Sequence, residues 1–91
     1  MKKRLTVYFS GSVQGVGFRF MAQRISKRFE VLGFVRNLPN GQVQLVSEGE
    51  EDNLKDFLNS IRDSNLKSNI RQIDVEWSEF KGEFQVFGIV R

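Results

Sequence analysis

The chain has 91 residues, of which 40% are hydrophobic and 27% charged, and its formal net charge is +3. We expect a single domain over residues 1–91, because this length suffices for one hydrophobic core and not for two. The chain contains neither Cys nor His, which excludes disulfides, thiolate metal sites, thiol nucleophiles and imidazole catalysis. Any catalysis must therefore work without imidazole or thiolate. We expect a cytoplasmic protein, a monomer, with no cofactor.

Charge and apolar patterning also restrict the partners. The small positive charge favours anionic ligands, but it is too small to indicate nucleic acid on its own. No segment approaches the run of about 18 apolar residues that a membrane span needs. The expected partner is therefore a small anionic molecule, with no nucleic acid and no membrane.

The first third of the chain predicts a strand, a glycine-rich turn and a helix. Leu5, Val7 and Phe9 alternate with polar residues, which is typical of a half-buried strand over residues 4–10. Glycines are frequent in the segment 11–17 that follows. Apolar residues then recur at helical spacing, at Phe18, Met21, Ala22, Ile25, Phe29 and Leu32. Gly33 predicts the end of this helix.

The remaining chain predicts a hairpin, a second helix and two further strands. Strands at 34–37 and 42–47 flank the turn sequence Pro39-Asn40-Gly41. An amphipathic helix follows, with acidic residues at its start (50–52) and apolar residues at Leu54, Phe57, Leu58 and Ile61. Strands are predicted around 73–77 and 84–89, and the polar segment 63–69 is predicted to be a solvated connection. Tyr8 and Trp77 are interpreted as packing residues, and Arg36 as a surface charge.

This order of elements, β-α-β-β-α-β with an extra C-terminal strand, predicts an α+β fold. It is the order of the ferredoxin-like split β-α-β sandwich, an antiparallel sheet with two helices on one face.

The glycine-rich turn into the first helix predicts an anion site. Glycine lets backbone N–H groups converge on one point, and a helix N-terminus adds unpaired N–H groups and positive dipole charge. Arg19, in the first helical turn, can add bidentate hydrogen bonds to a phosphate. Taken alone the turn is weak evidence, because it lacks both the third glycine of a dinucleotide site and the Gly-Lys-Ser/Thr of a P-loop. A turn whose glycines serve packing only stays open at this point.

Two motifs resemble the signatures of the acylphosphatase family. The segment Val13-Gln14-Gly15-Val16-Gly17-Phe18-Arg19 looks like the phosphate loop of that family. The segment Gly33-Phe34-Val35-Arg36-Asn37-Leu38-Pro39-Asn40-Gly41 is similar to its second signature. The motifs lie in the family's order and separation, and the resemblance covers essentially the whole chain.

The resemblance implies a metal-independent enzyme that hydrolyses small acyl phosphates to a carboxylate and inorganic phosphate. It implies that Arg19 binds the phosphate and that Asn37 orients the attacking water. It also implies that the backbone amides of five residues hold the phosphate, namely Gln14, Gly15, Val16, Gly17 and Phe18. A carboxylate leaving group, with a pKa of about 4–5, needs no general acid.

The sequence departs from the family pattern at three places, and two other functions stay open. Ser12 stands where many relatives carry a basic residue, and Asn40 replaces a frequent Asp. The polar loop 63–69 replaces a Gly-Pro pair and is expected to be remote from both signatures. The alternatives are a ferredoxin-like module that binds anions or RNA, and an acylphosphatase-like domain of a larger carbamoyltransferase.

Overall fold

A computed structural model describes residues 1–91 and contains five strands, two α-helices and one 3₁₀ turn. In chain order these are β1 (Lys2–Gly11), α1 (Phe18–Ser26), β2 (Leu32–Asn37), β3 (Val43–Glu50), α2 (Glu51–Arg62), the 3₁₀ turn (Lys67–Asn69), β4 (Ile70–Glu79) and β5 (Phe87–Val90). Neither helix has the length and apolar character needed to cross a membrane.

The five strands form one sheet in the order β4-β1-β3-β2-β5. The first four pair antiparallel, and β5 pairs parallel to β2, so the complete sheet is mixed. The core lies on one face, where Leu5, Val7 and Phe9 of β1 pack with apolar residues of both helices. This arrangement confirms the ferredoxin-like α+β fold, with the additional strand at one edge.

The end of the first helix and the role of Gly33 were predicted wrongly. Helix α1 ends at Ser26, and Gly33 lies within β2 with a φ of +146°. A Cβ at Gly33 would collide with the carbonyl oxygen of Val46 on the neighbouring strand. The glycine therefore permits close approach of two strands, and it does not end a helix.

One prediction for the later chain also changes. The last strand begins at Phe87, whereas Phe84 packs edge-on against Phe34 with ring centroids 5.9 Å apart. Trp77, interpreted as a packing residue, lies in a groove with Leu58 of α2 and keeps 41% of its surface exposed. Tyr8 is partly buried, and its hydroxyl accepts a hydrogen bond from Gln44.

Glu48 anchors the segment that connects β4 to β5. Its side chain is only 2% exposed and accepts a hydrogen bond from Arg4 Nε at 3.1 Å. It also accepts hydrogen bonds from the backbone N–H groups of Lys81, Gly82 and Glu83, at 2.7, 3.1 and 3.2 Å. Burial alone raises the pKa of the Glu48 carboxyl, but the Lys81 N–H, Arg4 and the Glu83 N–H outweigh it and hold that pKa below its usual range.

This lowered pKa predicts acid sensitivity of the fold. Because the folded pKa lies below the unfolded value of about 4.3, the stabilisation is present above that value and is lost as pH falls through the folded pKa. At pH 7, Glu48→Gln should lower the free energy of unfolding by about 1.5–3 kcal/mol, the range for hydrogen bonds to a charged group. Urea unfolding of parent and variant between pH 7 and 2 measures this, and the difference should shrink below about pH 4.

The matched control is Glu51→Gln, which removes an exposed ion pair with Lys55. Solvent screens such pairs, so its effect should be much smaller. A difference between Glu48→Gln and the parent that stays constant down to pH 2 would contradict the assigned role of the carboxylate.

Candidate active site

A cavity of about 190 Å³ lies where the glycine-rich loop meets the end of β2. Its lining residues are Val13, Gly15, Gly17, Phe18, Arg19, Phe20 and Asn37. Strands β1 and β2 both run antiparallel to the intervening β3, so they end at the same edge of the sheet. Phe9 of β1 and Asn37 of β2 are both in register with Val43 of β3. The topology thus brings the two sequence motifs together.

A larger groove, of about 520 Å³, lies between α1 and α2. Its lining includes Arg24, Arg28, Asp56 and Asp63, but no residue of the glycine-rich loop and not Asn37. The smaller cavity is the candidate site, because Arg19, the N-terminus of α1 and Asn37 meet there.

The glycine-rich loop presents the N-terminus of α1 to this cavity. Gly15 and Gly17 have φ values of 75° and 84°, in the left-handed region that glycine adopts readily. Gly17 is the N-cap of α1, and no side chain caps this end. The first turn of α1 contains no acidic residue. The amide dipoles at this end are therefore available to an anion.

The Gln14 side chain joins this loop to the turn between β2 and β3. Its Nε2 donates hydrogen bonds to the carbonyl oxygens of Leu38 and Gln42, at 2.8 and 2.9 Å. Leu38 directly follows Asn37, so these bonds set the position of the loop relative to Asn37.

A second connection joins the loop to the segment before β4. The N–H of Ser12 donates to the carbonyl oxygen of Asn69 at 2.9 Å, and Asn69 Nδ2 donates to the carbonyl oxygen of Ser12 at 3.0 Å. The expectation that the polar loop 63–69 is remote from both signatures is therefore wrong. Because β4 runs antiparallel to β1, the chain that enters β4 lies beside the chain that leaves β1.

Arg19 and Asn37 approach the cavity from two different elements. Arg19 is partly buried and follows Phe18, which packs against Phe9 with ring centroids 4.8 Å apart. Asn37 Oδ1 is buried and has no hydrogen-bond partner within the protein. Buried polar atoms are normally paired, so this oxygen keeps a hydrogen-bond acceptor that the protein itself does not use.

Most of the predicted site residues line the cavity. Gly15, Gly17, Phe18, Arg19 and Asn37 do so, whereas Gln14 and Val16 belong to the loop but are not among the lining residues. Sequence reasoning missed Val13 and Phe20 as lining residues and the structural bonds of the Gln14 and Asn69 side chains. The spacing of Phe18 and Phe20, two residues apart at a helix start, could have indicated that Phe20 points away from the core.

The structure is an α+β domain with a candidate anion site, and comparison with known proteins assigns its family. The acylphosphatase family model matches residues 5–89. An acylphosphatase of Geotalea uraniireducens is 42% identical over 89 residues, which cover 98% of each chain. One of Salinibacter ruber is 34% identical over 90 residues, covering 99% of this chain and 95% of the relative.

Comparison with solved structures supports the same family assignment. The crystal structure of acylphosphatase from Bacillus subtilis matches with a TM-score of 0.90 and 30% identity, over 100% of both chains. Full-length HypF, crystallised in a phosphate- and nucleotide-bound form, matches with a TM-score of 0.87 and 26% identity. That match covers 100% of this chain and 12% of HypF. The chain belongs to the acylphosphatase family.

Proposed function

We propose that this chain hydrolyses the carboxyl-phosphate bond of acyl phosphates at the cavity between the glycine-rich loop and Asn37. Water adds to phosphorus, the bond from phosphorus to the acyl oxygen breaks, and its electron pair leaves with the carboxylate. Membership of the acylphosphatase family supports the reaction. The observation that supports this site is that Asn37, whose buried Oδ1 has no partner within the protein, lines the same cavity as Arg19.

The phosphoryl group binds the backbone N–H groups of Gln14 to Phe18 and the guanidinium of Arg19. The N-terminus of α1 carries the equivalent of roughly +0.5 charge, which favours a phosphate. A guanidinium binds two phosphoryl oxygens at once and is never deprotonated near neutral pH. These groups stabilise the charge that the phosphoryl oxygens carry in the transition state.

Asn37 orients the attacking water through its Oδ1. An amide side chain does not titrate near neutrality, so it accepts a hydrogen bond without removing the proton. The proton passes to the phosphate of the substrate. The carboxylate is already a good leaving group, so the chemistry needs no general acid, and the absence of His from the sequence is no obstacle.

We further propose that the enzyme is a cytoplasmic monomer whose partner is a small acyl phosphate. A chain without Cys suits a reducing compartment. The edge strand β4 carries the exposed charged residues Arg71, Asp74, Glu76 and Glu79, and charged side chains on an edge strand disfavour pairing with a second copy.

An RNA-binding role has less support. On the sheet face opposite the helices, Arg4 is paired with Glu48 and Glu83, and Phe34 packs against Phe84. These basic and aromatic groups are engaged within the protein, which leaves fewer of them to attract and stack RNA bases. The similarity to 12% of HypF favours a second candidate, an acylphosphatase-like domain within a larger enzyme. The size of the native protein in cell extract distinguishes this from a free-standing enzyme.

Hydrolysis of benzoyl phosphate in the presence of excess EDTA tests the reaction itself. We expect full activity, because Arg19 and backbone amides supply the charge stabilisation that a metal ion would otherwise provide. Activity lost to EDTA and restored by Mg²⁺ would contradict the mechanism. Absence of hydrolysis together with a gel shift of poly-pyrimidine RNA would favour the binding module.

Replacement of Arg19 tests phosphate binding. Arg19→Ala should abolish turnover and weaken inorganic phosphate as a competitive inhibitor. Arg19→Lys should restore little activity, because a lysine ammonium cannot form the two parallel hydrogen bonds of a planar guanidinium. Arg24→Ala is the matched control, since Arg24 lies in the last turn of α1 and outside the cavity. Phosphate inhibition that is the same in Arg19→Ala and parent would show that Arg19 does not touch the phosphate.

Replacement of Asn37 tests the positioning of water. Asn37→Ala should lower kcat by on the order of 10²-fold with KM nearly unchanged, because the lost hydrogen bond acts mainly in the transition state. Its urea midpoint should change little, since Oδ1 has no partner within the protein to lose. Asn40→Ala is the control, because Asn40 Oδ1 accepts the Gln42 N–H in the turn. That variant should lose stability and keep kcat. A normal kcat with a lowered midpoint for Asn37→Ala would refute the assignment.

A further inference from the structure

Phe20 is an unusually exposed aromatic residue at the mouth of the cavity. It is the most exposed of the nine phenylalanines, with 68% of its surface in solvent, followed by Phe80 with 42%. A single exposed apolar residue is ordinary on a protein surface. The position of Phe20 beside the candidate phosphate site is what requires an explanation.

The start of α1 determines where Phe20 points. Phe18 is 2% exposed and packs into the core. Phe20 follows two residues later, about 200° further around the helix, so its ring points away from the core. It lines the cavity with Arg19 and Asn37.

Phe20 provides the exposed apolar surface of this cavity. The other large apolar lining residues, Val13 and Phe18, are 1% and 2% exposed. They form the floor, and little of their surface remains available to a ligand. The remaining lining residues are glycines, Arg19 and Asn37, which offer polar groups or backbone.

An acyl phosphate has two chemically different ends. Its anionic phosphoryl group matches Arg19 and the helix N-terminus. An acyl group without ionised substituents has no counterpart among those polar groups. An aromatic acyl group can bury its ring against Phe20 in an offset or edge-to-face arrangement. An acetyl group buries only a single methyl against the same surface, so its contact contributes much less binding free energy.

We infer that Phe20 forms an apolar subsite for the acyl group and makes the enzyme selective for acyl phosphates with aromatic or large apolar acyl groups. This inference rests on the proposed function of the same cavity. The contact exists in the bound substrate as well as in the transition state, so it acts mainly on KM and little on kcat.

The test compares benzoyl phosphate with acetyl phosphate in the parent and in Phe20→Ala. The parent should have the higher kcat/KM for benzoyl phosphate. In Phe20→Ala the ratio of the two kcat/KM values should fall about fivefold to tenfold, through a raised KM for benzoyl phosphate. Phe20→Leu should retain part of the selectivity, because it keeps an apolar side chain.

Phe80→Ala is the matched control, because it also removes an exposed ring. Phe80 lies over Lys2, at the end of β1 opposite the glycine-rich loop, and its removal should leave the ratio unchanged. Equal changes for both substrates in Phe20→Ala, or no change for either, would overturn the inference while the proposed function stands. A parent that hydrolyses neither substrate would overturn the proposed function, and this inference with it.

Discussion

The hydrogen bonds that join the glycine-rich loop to the neighbours of β1 determine the geometry of the cavity. On one side, Ser12 and Asn69 exchange two hydrogen bonds, at 2.9 and 3.0 Å. On the other side, Gln14 donates to Leu38 and Gln42, at 2.8 and 2.9 Å. Strand β1 lies between β4 and β3, so the loop at its end is attached on both flanks. A loop held in this way suits the proposed role, because a preorganised site needs little rearrangement when charge develops on its ligand.

The glycines of the loop serve two different physical purposes. Gly15 and Gly17 have positive φ, and a Cβ at either would meet no atom within 4 Å. Glycine is needed at these two positions because of the positive φ, and not because a side chain would collide with a neighbouring atom. A Cβ at Gly11, in contrast, would collide with the carbonyl oxygen of Asn69. Gly11 therefore allows the close contact between the end of β1 and the segment before β4, on which the Ser12–Asn69 pair depends.

The groups with shifted pKa values and the candidate cavity lie at opposite ends of strand β1. The groups with clearly shifted pKa values are the N-terminus of the chain, Glu48, Glu50 and the paired Glu51 and Lys55. The cavity at the other end of β1 is lined by an arginine, an asparagine, apolar side chains and glycines, with no carboxylate among them. Acid can thus weaken the fold through Glu48 without protonating a carboxylate in the cavity.

The local part of this structure could be predicted from the sequence. The alternation of Leu5, Val7 and Phe9 and the helical spacing of Leu54, Phe57, Leu58 and Ile61 correctly predicted a strand and a helix, because side-chain direction follows from the backbone period. The two motifs that carry Arg19 and Asn37 are also continuous in the chain, and they suffice for the family.

Only the tertiary structure decided the contacts between distant segments. Asn69 meets Ser12 across 57 positions, and Gln14 meets Leu38 across 24. No local pattern records such pairs, because they depend on strand order and register. The same holds for Gly33, whose local signal resembled a helix end but whose role is set by Val46 on the adjacent strand. The spacing of Phe18 and Phe20 can indicate that Phe20 points away from the core, but only the assembled sheet places it at a cavity with Asn37.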